Sequence, residues 1–163
     1  MDGNYQQILK ECQRELDQIE EWINNHRLES INQYLQKYAI IRSAGALEVV
    51  FKQMIFDHLI QNANDEARNY FEKNIIQSSV NVKTGAIQKM LDQINSTWSI
   101  AFQNAMKDKV NEPKKAGLNS LVSNRNAFGH GGIATVGIYE IKKYFSSGWE
   151  VMEIVFNIIH DIV

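Results

Sequence analysis

Between Tyr5 and Ile159 apolar residues return at steps of three and four, and a single proline, Pro113, stands in their way. That spacing lines one face of an α-helix and does not suit a strand, whose faces alternate every second residue. A chain patterned this way buries its stripes by packing helix on helix. The abundance of Ala, Leu, Ile, Gln, Lys and Glu adds intrinsic helix preference. At 163 residues and 44% hydrophobic, the chain suits one domain, residues 1–163, with one core.

The stripes predict the elements. Tyr5, Leu9, Cys12, Leu16, Ile19 and Trp22 mark a helix over about 4–27. Ser30 is placed to cap a second, which runs to about residue 61 through Tyr34, Tyr38, Ile41, Leu47, Phe51 and His58, with Gly45 as a kink or a close crossing. A third covers about 65–79. Thr84 is placed to cap a helix carrying Ile87, Met90 and Leu91, which "NST" at 95–97 interrupts before Trp98, Phe102 and Met106. "DKVNEPKKAG", residues 108–117, reads as a loop. Leu118, Leu121, Val122, Arg125 and Phe128 form a helix ending in glycines, and "GGIATVG" reads as the loop after it. Tyr139–Phe145 reads as a short helix, and Ser147 with Glu150 as a capping box opening the last one. The expectation is an all-α, single-domain bundle of five to six helices.

Several function classes drop out. No HExxH and no Cys/His cluster is present, so no metal site is expected, and no P-loop or GxSxG elbow occurs. The N-terminus has no signal-peptide pattern and no stretch is apolar for long enough to span a membrane. With Cys12 as the lone cysteine, a reducing, cytoplasmic setting is expected. Net charge is −2 but uneven. Residues 1–29 hold seven acidic and three basic side chains, whereas residues 105–130 hold five basic and two acidic ones. Lys107, Lys109, Lys114 and Lys115 are therefore candidate RNA-binding residues, set against the plainer reading of a solvated lysine loop.

The stretch "SNRNAFGHGG", residues 123–132, is the least economical part of the helical pattern. Gly129, Gly131 and Gly132 each cost about 1 kcal/mol inside a helix. Arg125 is a permanent cation with a planar fork suited to phosphate. His130 can carry a proton near neutral pH, and Asn126 can orient either group. On a straight helix Arg125 and His130 diverge by about 140°. The spacing therefore suits a helix end, or a groove shared by two chains. The alternative is a helix C-terminus whose Arg and His merely face its negative dipole end. His58 and His160 lie in apolar helices and read as core or core-edge side chains, and His26 as a solvated helix end.

"LNSLVSNRNAFGHGG" resembles the R-x-x-x-x-H signature of the HEPN superfamily, and "RSAGALEVVFKQMIFDHL" resembles the upstream helix of its RiboL-PSP-HEPN type. The resemblance covers roughly residues 35–160 in layout. It implies a metal-independent endoribonuclease without cofactor, acting as a homodimer and often serving as a toxin or antiviral-defence effector. RNA, a second copy, and an antitoxin or defence-system protein are the implied partners. Arg125 and His130 become catalytic and Asn126 assists. Gly132 stands where some HEPN toxins carry the Tyr that a nucleotidyltransferase antitoxin modifies, so that route of neutralisation is not implied. Glu48, in "ALEVVF", should seek a partner among its apolar neighbours. It is a supporting candidate behind Arg125 or Asn126, or else a half-exposed surface carboxylate. The alternative overall is a non-catalytic HEPN domain that binds RNA or a nucleotide, or serves dimerisation.

Overall fold

A computed structural model describes residues 1, 3–129 and 136–161. The described residues form seven α-helices and no strand: α1 (Gly3–Asn25), α2 (Asn32–Leu59), α3 (Asp65–Phe71), α4 (Thr84–Ile94), α5 (Ser96–Lys107), α6 (Glu112–Gly129) and α7 (Ile138–Ile159). A π-helical turn, Glu72–Ile76, extends α3, and a 3-10 turn, Lys109–Asn111, leads into α6. No helix among the described residues is long and apolar enough to cross a membrane.

The count exceeds five or six because Asn95 fully divides α4 from α5. Its backbone is extended, and its side chain accepts from Thr97 N–H, so one residue ends a helix and caps the next. α2 is the central element. Ala39, Ile40, Leu47, Val50, Phe51, Met54 and Ile55 are buried along it, against α1 on one side and α6 and α7 on others. α1 delivers Tyr5, Leu9, Cys12, Leu16 and Ile19 to this core. Arg42 on α2 clamps Glu15 on α1 with three hydrogen bonds, Nη2 to Oε1 at 2.8 Å and Nε to Oε2 at 2.9 Å and to Oε1 at 3.1 Å. Beneath that clamp Cys12 is fully buried, and burial pushes its thiol up to about 11. Lys142 on α7 pairs with Asp17, at 2.7 Å, and with Glu20, tying α7 to α1.

Five local expectations are corrected. Ser30 does not cap α2. Ile31 occupies that position without a side-chain bond, and the chain enters through a turn in which Asn32 Nδ2 donates to the His26 carbonyl. Thr84 is the first helical residue of α4 rather than its cap, and its N–H and hydroxyl both donate to Asn119 Oδ1 on α6. Residues 112–117 are helix, not loop. Pro113 sits in the first turn of α6, where its missing N–H removes no helical bond, and Glu112 suits the positive helix end. Residues 138–159 form one continuous helix. Ser147 donates back to the Lys143 carbonyl instead of opening a new element. Gly45 does not mark a close crossing, since nothing lies within 4 Å of where its Cβ would be.

The close crossing falls elsewhere. A Cβ on Gly148 would overlap Leu47 Cδ1 and reach Leu118 Cδ1 at 3.3 Å, and one on Gly117 would overlap the Ser147 side chain. The two glycines therefore let α7 settle onto α2 and α6. Gly148→Val should lower the unfolding free energy by about 1–3 kcal/mol through overpacking. Gly45→Ala should raise it by up to about 1 kcal/mol. Urea denaturation of the two variants measures both, and the opposite signs are the decisive outcome.

Candidate active site

On α6 the buried stripe Leu118, Leu121 and Val122 continues one turn further to Arg125. Seven residues on from Leu118 is nearly two full turns, so packing of the stripe carries the arginine toward the body of the protein. There it meets α2. Arg125 Nη2 lies 3.7 Å from Glu48 Oε2, and Nη1 donates to Asn81 Oδ1 at 3.2 Å. The arginine side chain as a whole remains 34% exposed. At 3.7 Å the contact with Glu48 is an ion pair without a hydrogen bond.

Glu48 is not a surface carboxylate. Its side chain is 15% exposed and has three neighbours: Lys52 Nζ at 2.7 Å, Val80 N–H at 3.3 Å, and Arg125. Asn126 is half-buried, one residue along and about 100° around the helix from Arg125. His130 lies outside the described residues, as do Gly131 and Gly132. Phe128, nearer the end of α6, lies under Lys37 of α2, whose Nζ is 4.7 Å from the ring centre.

The four lysines gather elsewhere. Lys115 is ten residues before Arg125, about 15 Å along α6. Lys107 and Lys115 line a groove of about 250 Å³ with Thr84, Gly85 and Gln88 of α4. Lys107 donates to Gln103 at 3.2 Å, Lys114 pairs with Glu150 at 3.2 Å, and Lys109 is exposed. Within one chain they sit at the far end of the helix that carries Arg125.

The other histidines have packing surroundings. His58 meets the Trp98 ring edge-on at 4.9 Å and lies 6.1 Å from His160. Burial, then the neighbouring His160, lowers its pKa. His160 stacks on Phe156 and His26 on Trp22. Among the described residues no group of His, Cys, Asp and Glu could hold a metal ion. The sequence reading missed two residues that touch this site. Lys52 had a signal, because it follows Glu48 by one helical turn in an otherwise apolar run. Asn81 had none, lying in a polar break between helices.

The described residues form an all-helical fold in which α6 holds Arg125, the first residue of the R-x-x-x-x-H sequence, against the part-buried Glu48. The family profile RiboL-PSP-HEPN matches residues 6–161, and the chain belongs to that family. Comparison with curated proteins and with solved structures returned no match.

Removing Glu48 leaves Lys52 buried without its anion. Breaking a buried pair from one side typically costs about 3–5 kcal/mol. Glu48→Ala should therefore lower the unfolding free energy by about 3 kcal/mol, whereas Lys114→Ala, at a partly exposed pair, should change it by less than about 1 kcal/mol. Comparing the two melts tests whether Glu48 is a buried or a surface group.

Proposed function

We propose that this protein is a metal-independent endoribonuclease, acting as a toxin or antiviral-defence effector. The observation that supports it most is the state of Arg125. It is fixed by Asn81 and faced by Glu48, yet a third of it is open to an incoming anion. In this reading Arg125 holds the charge that grows on the phosphate during attack by the 2′-hydroxyl. His130 moves the proton of that hydroxyl or of the leaving oxygen, and Asn126 orients one of the two. The lysines at the other end of α6 attract neighbouring phosphates of the same strand.

A second reading, a non-catalytic RNA- or nucleotide-binding or dimerisation domain, draws on the same ion pair, since a scaffold also gains from an Arg125–Glu48 contact. Cleavage of RNA by purified protein in EDTA separates them. Cleavage should fall by about 100-fold or more in His130→Ala. Expression of wild type should slow growth and Arg125→Ala should not, with Arg125→Lys intermediate because lysine lacks the bidentate fork. Wild-type protein that binds RNA without cutting it would favour the second reading.

A homodimer completes the proposal. Ile31, just before α2, and Tyr34, Tyr38, Ile41 and Val49 along it recur at helical spacing as one strip; each is about half exposed, as is Trp22 of α1, which lines a groove with Ile31 and Tyr38. Half of about 200 Å² per large side chain, over six residues, gives several hundred Å². That approaches the ~800 Å² each partner contributes to a standard interface. A second copy related by a two-fold axis would cover this strip and set two motifs in one groove. Mixed dimers of Arg125→Ala and His130→Ala protomers should then behave differently from either parent in the cleavage assay. Full activity from a monomer at assay concentration would remove the shared groove.

A further inference from the structure

Lys52 is an unusual neighbour for a phosphate-binding arginine. It is only 8% exposed. An ammonium so far from water needs acceptors for its three protons. Lys52 has Glu48 Oε1 at 2.7 Å, the Ile76 carbonyl at 3.4 Å, and the Ser78 carbonyl. Ile76 ends the π-helical turn, and Ser78 belongs to the segment that leaves it toward α4. The same segment gives Val80 N–H to Glu48 and Asn81 Oδ1 to Arg125. Both groups that touch Arg125 are thus held by Lys52, Glu48 directly and Asn81 through a short run of backbone.

Charge adds a second effect. Glu48 is 2.7 Å from Lys52 and 3.7 Å from Arg125, so its charge is committed first to the lysine. The three side chains sum to +1, which leaves the guanidinium with a net attraction for an anion. Without the ammonium the sum is zero, and Glu48 competes with phosphate for the arginine fork.

We propose that Lys52 is a positioning residue for Arg125. By joining Glu48 to the 76–80 backbone it fixes the guanidinium and keeps its charge available to a phosphate oxygen. The catalytic consequence rests on the ribonuclease reading, whereas the placement of Arg125 does not, and the test separates them. Lys52→Met, Lys52→Arg and Lys52→Met/Glu48→Gln are compared with wild type by two readouts. One is the NMR signal of the Arg125 Nε–H, assigned by its loss in Arg125→Lys. The other is kcat and KM for RNA cleavage. Lys52→Met should shift the signal and lower kcat at least tenfold while KM stays within threefold. Lys52→Arg should stay within threefold of wild type. The double variant, which removes the competing carboxylate, should regain at least threefold in kcat over Lys52→Met when rates are expressed per folded molecule from the same NMR spectra, so that recovered stability alone does not count. An unmoved Arg125 signal in folded Lys52→Met overturns the proposal whatever the nuclease assay shows, and so does a double variant no faster than the single in an active enzyme. If wild type cleaves no RNA, the ribonuclease reading fails and the NMR signal alone decides the positioning role. Should Lys52→Met not fold, the double variant is compared with Glu48→Gln, and an identical Arg125 signal in the two overturns it.

Discussion

The structure depends on one crossing, where α7 passes over α2 and α6 with glycine on both sides of the contact. Gly148 admits Leu47 and approaches Leu118, and Gly117 admits the Ser147 side chain. Close packing here fixes the rotation of both partner helices about their axes, because a helix seated by one buried residue has its other faces determined. With Leu47 turned into the crossing, Glu48 is directed about 100° away, toward the 80–81 segment and α6. With Leu118 turned in, Arg125 follows on nearly the same face. The arginine and the carboxylate meet because two leucines, one beside Glu48 and one two turns before Arg125, are held by the same glycine.

Much of the helical layout was legible because stripes at three- and four-residue steps arise from the same burial that forms the core. α1 and the break at Asn95 are examples. The misreadings share a cause. Pro113 and Gly117 have a local meaning as loop and Ser147 as cap, whereas Gly117 and Ser147 meet where α6 and α7 pack. Pro113 starts a helix, and the two glycines let neighbouring helices approach. No window of sequence contains the partner that makes a glycine useful in mid-helix. The site divides the same way. Arg125 and Glu48 stood out as charges within apolar stripes, but Asn81 is tied to Arg125 across 44 residues of chain and nothing local marks it.

The overall charge of −2 conceals a local arrangement suited to an anionic ligand. Near Arg125 one carboxylate is shared between two cations, so it holds the arginine without neutralising the cluster. At the start of α6 and in the turn before it the lysines face different surroundings, with Lys114 paired and Lys109 open. The lysines and Arg125 thus stand near opposite ends of one helix, whose length sets their separation. The RiboL-PSP-HEPN match, over residues 6–161, includes both this helix and α2.

The clamp between Glu15 and Arg42 has a consequence for the thiol beneath it. Cys12 is fully buried, with its thiol pushed up to about 11. Burial thus disfavours the reactive thiolate at neutral pH as well as restricting access to it. The side chain is therefore inert to alkylation and exchange while α1 lies on α2, and becomes an ordinary cysteine once α1 lifts away. Because it is the lone cysteine of the chain, its labelling reports any opening that uncovers the contact between the first helix and the central one, without an engineered probe.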